Sequence, residues 1–163
     1  MRVCIIVPSY YPAIVYGGPI VSIHSVNREL SENGTKVYVS TSNANGDKKL
    51  KVETNSYVKL GENYSVKYYN DNIIGRLSLS FIFSVWKDIK QSDLVRIEDI
   101  FSTYIPPSLI YAKIFKKPII ISPRGVLSTW SLNNKRRVLK WLWALIFIKP
   151  FLKGSWWHAT CEA

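Results

Sequence analysis

The run Val3-Cys4-Ile5-Ile6-Val7 has no polar position. Bounded by Arg2 and Pro8, it is too short for a helix and too uniform for a strand with one wet face. It reads as a strand buried on both sides. Leu94-Val95-Arg96-Ile97 and Pro118-Ile119-Ile120-Ile121-Ser122 read the same way, and Trp156-Trp157-His158-Ala159-Thr160 as a further strand. Helical patterns lie between them. Ile20, Ile23, Val26 and Leu30 recur at helical spacing until Asn33-Gly34, and Leu77, Phe81, Val85 and Ile89 form a second line. Pro107 to Phe115 reads as a third helix, and Asn134 to Leu152 as a long fourth one broken at Pro150. Strands apolar on both faces and alternating with helices predict an α/β fold: a Rossmann-like parallel sheet with helices on both faces. At 163 residues the chain fits a single domain, 1–163, long enough to bury a real core.

Lys36 to Thr41 reads as a strand after the first helix. Residues 42–56 are polar and read as a mobile loop. Tyr57-Val58-Lys59-Leu60 and Ser65-Val66-Lys67-Tyr68-Tyr69 are short alternating strands around Gly61-Glu62-Asn63, a hairpin or edge pair.

Ligands of open parallel sheets bind beyond the carboxyl ends of the strands. That rule singles out loops 8–18, 42–46, 98–104 and 123–131, which carry Tyr10, Tyr11, Tyr16, Gly17, Gly18, Glu98, Asp99, Arg124 and Trp130. The first loop ends in Tyr16-Gly17-Gly18-Pro19 at the start of a helix. Glycines let a backbone approach a ligand closely, and a helix N-terminus offers free N–H groups and partial positive charge. A phosphate is the natural ligand. The dinucleotide fingerprint is excluded, because it needs three spaced glycines directly after the strand. Arg124, in Pro123-Arg124-Gly125, has the planar fork that pairs with phosphate. His24 and His158 read as structural, and no nucleophile–base constellation or metal-ligand spacing stands out.

The charge is lopsided. Residues 1–99 hold twelve Lys/Arg against ten Asp/Glu, whereas residues 100–161 hold ten Lys/Arg and no acid. Such polarity implies a polyanionic partner. No nucleic-acid-binding module is present, so nucleic acid is the weakest choice. The segment 135–149 is basic at its ends and apolar in its middle, as a core helix or a membrane-surface helix would be. Its apolar run, Trp141 to Ile148, is eight residues, far short of the ~20 that span a bilayer. With no export signal at the start of the sequence, a cytoplasmic location is expected, with peripheral docking on the inner face of the membrane. Cys4 and Cys161 match no zinc or redox spacing and read as reduced thiols.

The sequence resembles the N-terminal domain of the family 4 glycosyltransferases, which have the GT-B fold. The likeness runs from Tyr10-Tyr11-Pro12 through Gly17-Gly18-Pro19 to the helix end and strand Leu30-Ser31-Glu32-Asn33-Gly34-Thr35-Lys36-Val37, where Thr35 replaces the family's usual His. It is strongest in Ser122-Pro123-Arg124-Gly125-Val126-Leu127-Ser128-Thr129-Trp130-Ser131-Leu132 with Lys135, and it ends in His158-Ala159-Thr160-Cys161-Glu162-Ala163. The resemblance implies the acceptor-binding half of a retaining, hexosyltransferase-type enzyme of cell-surface polysaccharide or lipopolysaccharide synthesis. Its co-substrate would be a nucleotide-sugar, with no cofactor and no essential metal, and its acceptor a glycan or lipid-linked saccharide. It implies that Gly17 and Gly18 face the donor diphosphate. Arg124 is the catalytic candidate, at a position where many relatives place a His and a subset writes P-R-G. Tyr10, Tyr11, Tyr16, Arg96, Glu98 and Trp130 are the acceptor-side candidates. It also implies that the nucleotide-sugar-binding C-terminal domain is absent from these residues, so that the isolated chain is inactive. The alternative is a non-catalytic Rossmann-like module that binds an anionic membrane or a partner protein.

Overall fold

The computed structural model describes residues 1–73, 77–124, 126, 137–151 and 153–159. β1 (Arg2–Ser9) is the centre of the sheet, parallel to β2 (Lys36–Ser42) on one side and to β7 (Leu94–Glu98) on the other. Its alternate residues enter different cores, as the two-residue period of a strand requires. Val3, Ile5 and Val7 pack beneath α1 (Gly18–Glu32) with Ile23, Val37, Val39, Tyr64, Val66 and Tyr68. Cys4 and Ile6 face the other way, against α2 (Leu79–Lys90) and α3 (Ile105–Ile114), with Phe81, Val85, Ile89, Ile105 and Leu109. With a core on either face, no β1 position between Val3 and Val7 has room for a polar side chain.

The seven strands run in the order β5-β6-β2-β1-β7-β8-β9. Here β5 is Tyr57–Gly61, β6 Tyr64–Tyr69, β8 Ile119–Ser122 and β9 Ser155–Trp157. Only β5 is antiparallel, paired to β6 as the hairpin expected from Gly61-Glu62-Asn63. The fold is α/β and Rossmann-like, with a mostly parallel sheet between helices.

Several elements differ from the sequence reading. Residues 42–56 are not an unstructured loop: Ala44–Asn45 (β3) and Lys48–Lys49 (β4) form a small antiparallel hairpin, and Leu50 and Val52 pack on the α1-side core. The buried stripe of α1 is Ile20, Ile23, Asn27 and Ser31, while Val26 is exposed. A core amide turns the helix: Asn27 Nδ2 donates to the Tyr10 hydroxyl at 2.8 Å. Among the described residues the long fourth helix is α over Arg137–Trp143 (α4), π-helical over Ala144–Ile148 and 3-10 over Lys149–Phe151, so the change comes before Pro150; its expected ends, Asn134 and Leu152, lie outside the described residues. Glu98 closes β7 rather than opening the following loop.

The α2 side of the sheet carries a buried polar knot. Asp88 of α2 accepts hydrogen bonds from Ser40 Oγ (2.9 Å), Tyr69 OH (2.5 Å) and Lys67 Nζ (3.2 Å). The Lys67 ammonium also lies over the rings of Tyr57 and Tyr69. The Cys4 thiol is wholly buried beside this knot, and burial, with Asp88 adding to it, pushes its pKa far up.

Candidate functional site

From β1 the chain moves outward to β2 and on to the edge strand β5, turns back into β6, and is returned by α2 to β7 on the far side of β1. The loops leaving β1 and β7 therefore diverge at their carboxyl ends, which is where such sheets open a crevice. A cleft of about 600 Å³ lies there. One wall is Val7, Pro8, Ser9, Tyr16, Pro19, Ile20 and Ile23; the other is Glu98, Asp99, Phe101, Ser102, Thr103, Arg124 and Val126.

The first wall is fixed from below. Tyr10 is fully buried, its hydroxyl bonded to Asn27 and to the Tyr64 hydroxyl, and Tyr64 OH is 2.8 Å from His24 Nδ1. Burial, then nearby Arg28, holds the His24 pKa below its ordinary value, so the ring stays neutral at physiological pH. Tyr11 stacks on His24 at 4.4 Å, and its carbonyl accepts from Tyr68 OH. This anchor holds the chain as it crosses the edge of the sheet. A 3-10 turn, Ile14–Tyr16, then delivers Tyr16 into the cleft, where its hydroxyl accepts from Gly46 N at 3.0 Å.

Gly17 has φ 81° and ψ −154°, a conformation essentially restricted to glycine, and it turns the backbone into α1. A Cβ on either Gly17 or Gly18 would meet nothing within 4 Å, so the space beside both is open. The two residues have different duties. Gly17→Ala is expected to lower stability by about 1–3 kcal/mol through backbone strain. Gly18→Ala, in helical backbone with room for a methyl, should stay within about 0.5 kcal/mol of wild type. Urea unfolding of the two variants checks this, and equal losses would contradict it.

The second wall is built around one buried carboxylate. Glu98, 1% exposed, receives Arg124 Nε at 2.6 Å and Nη2 at 3.2 Å, a two-pronged grip. Arg96, two residues back on the same face of β7, places its Nε 2.7 Å from Glu98 Oε1. The Arg96 N–H does not aim at that oxygen, so the contact is an ion pair without a hydrogen bond. Two guanidinium groups share this one carboxylate, and with Asp99 on the same wall the formal charges of the four groups balance. Beside them, Asp99 Oδ1 accepts from the backbone N–H groups of Ile100 (2.6 Å) and Phe101 (3.1 Å). Burial pushes the Asp99 carboxyl up, and those two bonds partly oppose it. Both Asp99 (φ 93°) and Arg124 (φ 53°) hold left-handed backbone, a strain that clusters at ligand sites.

The sequence candidates divide accordingly. Tyr16, Glu98 and Arg124 line the cleft, and Gly17 and Gly18 adjoin it between Tyr16 and Pro19. Arg96 braces Glu98 from behind. Tyr10 sits in the core and Tyr11 packs on α1 through His24, so neither lines the cleft. Trp130 lies outside the described residues. Sequence reasoning missed Ser9, Ser102 and Thr103, whose only signal was membership of loops at strand carboxyl ends. Among the described residues, no group of three or more His, Cys, Asp or Glu could hold a metal ion, and no helix is long and apolar enough to cross a membrane.

The fold and cleft define a Rossmann-like α/β protein with an open crevice at its switch point, holding the Arg124–Glu98 pair on one wall. Neither the models of known protein families nor curated protein sequences match the chain.

Proposed function

We propose that the chain is the acceptor-side half of a retaining, nucleotide-sugar-dependent glycosyltransferase of the GT-B type. The observation that carries this reading is the switch-point cleft, with a glycine turn at a helix N-terminus on one wall and Arg124 on the other. In this reading the donor diphosphate approaches the open side of Gly17 and Gly18, where the Gly18 N–H and the helix dipole favour negative charge; the Gly17 N–H is bonded to the Ile14 carbonyl and the Ile20 N–H to the Gly17 carbonyl. The guanidinium of Arg124 stabilises charge developing on the leaving diphosphate. The saccharide acceptor lies along Tyr16, Ser102 and Thr103, and the nucleotide is held by a separate domain.

A lipid-linked acceptor suits the surface of α4, which is tied to the cleft wall where Trp143 Nε1 donates to the Ile100 carbonyl and Lys140 lies over the Phe101 ring. Val138, Leu139, Trp141 and Ile146 of α4 and the following turn are exposed, and Lys149 stands at their end. Apolar side chains flanked by lysine favour peripheral docking on an anionic membrane. This surface equally supports the non-catalytic reading, in which membrane binding is the whole function.

The test is protein-detected NMR with a water-soluble saccharide diphosphate as acceptor analogue, alone and with nucleoside diphosphates. Perturbations at Tyr16, Asp99, Ser102 and Thr103 are expected with the saccharide, and at Gly17 and Gly18 with the nucleoside diphosphates. Shifts that bypass the cleft, or none with any saccharide, would leave the non-catalytic reading in possession.

A further inference from the structure

The stretch 100–161, with ten Lys/Arg and no acid, builds a basic feature at the amino ends of the strands, opposite the cleft. Where β8 and β9 begin, a hollow of about 370 Å³ is walled by Lys113, Lys116, Lys117 and Lys153, with the rings of Phe151 and Trp156 beside them. The four ammonium groups come from two separate parts of the chain, the end of α3 and the turn before β9.

Two of the lysines are pinned. Lys113 Nζ donates to the Pro150 carbonyl at 3.0 Å and lies over the Phe151 ring; Lys117 Nζ donates to the Ser92 carbonyl at 2.5 Å. Carbonyls fix these ammonium groups without neutralising them. Among the described residues, no carboxylate forms an ion pair with any of the four. Lysines near a helix C-terminus commonly complement its dipole. That accounts for Lys113 and Lys116 but not for Lys153, which belongs to no helix. Lys116 also holds φ 52°, at a helix end where glycine is the usual residue, so the charge is kept at the expense of backbone strain. Trp156, 62% exposed, offers an indole at the rim.

We propose that this hollow is a binding site for a phosphate-bearing anion, held by the four ammonium groups, with Trp156 in contact with the group the phosphate is attached to. Lysine ammonium groups bind phosphate as point charges with rotatable donors. The ligand is either a soluble phosphate compound or the head group of an anionic lipid. This site is separate from the cleft and does not depend on the glycosyltransferase reading.

The experiment uses the whole chain, with inorganic pyrophosphate in calorimetry and vesicles of phosphatidylglycerol or phosphatidylcholine in co-sedimentation. The variants are Lys116→Gln/Lys153→Gln and, as a control of equal charge change, Lys51→Gln/Lys59→Gln. All four lysines are exposed, and far-ultraviolet circular dichroism verifies that the fold is kept. Loss of two charge-assisted contacts should weaken binding about tenfold or more in the first variant and leave the second unchanged. Pyrophosphate binding with this pattern identifies a soluble phosphate ligand. The same pattern with phosphatidylglycerol vesicles and no response to pyrophosphate identifies a lipid head group. The proposal is overturned if the two variants weaken equally, if neither weakens, or if the unaltered chain binds neither probe.

Discussion

Asp88→Ala lowers stability by about 3–5 kcal/mol, because it leaves the Lys67 ammonium buried without its counter-charge. For a chain of this size that is a fall in melting temperature on the order of 10 °C. The loss exceeds that of an ordinary surface ion pair, since three donors from β2 and β6 converge on this one carboxylate. Removing the cation as well should reverse most of it. The double variant Asp88→Leu/Lys67→Met replaces the pair with apolar volume, which is often neutral in a core. Thermal unfolding of the single and double variants reads the coupling directly. A single variant melting within about 2 °C of wild type would show that Lys67 escapes to water.

The second large effect concerns chemistry. Under the glycosyltransferase reading, Arg124→Ala in the two-domain enzyme lowers kcat on the order of 10²- to 10³-fold, the magnitude typical of a lost donor to a developing anion. Stability should change far less, because Arg96 stays beside Glu98 to balance its charge. Glu98→Gln separates the roles. It leaves the Arg124 fork in the cleft without the carboxylate that aims it, so transfer falls while the positive charge remains. Steady-state kinetics and melting curves on both variants decide the matter. A large stability loss with normal turnover in Arg124→Ala would make the arginine a structural strut.

The architecture could be read from the sequence wherever burial dictated composition. Val3 to Val7 are apolar because cores lie on both faces, so their pattern has one solution, and Ile119 and Ile121 enter the α2-side core. The reading failed where polar groups do core work. Asn27 breaks the apolar line of α1 because its partner, the Tyr10 hydroxyl, is non-local. Lys67 looked like an ordinary outward residue of an alternating strand. The signal for its partner was present, since Asp88 falls on the same helical face as Phe81 and Val85, but a lone acid on an apolar stripe does not say which cation it meets. Of the four loops that topology singled out, 8–18, 98–104 and 123–131 contribute residues to the cleft, Arg124 and Glu98 among them, and 42–46 contributes none. Their mutual grip was not legible: it joins β7 to the loop after β8, a contact created only by the strand order.

Cys4 carries a consequence for how the molecule can be watched. Its thiol lies in the middle strand, hydrogen-bonded on both sides, with a pKa driven far above that of a free cysteine. Fraying at either edge of the sheet leaves it covered, and so does movement of the cleft loops. An alkylating reagent reaches this sulfur when the α2 and α3 helices lift from the sheet or the sheet itself opens. Its labelling rate, read at Cys4 apart from Cys161, is therefore a clock for loss of the α2-side core.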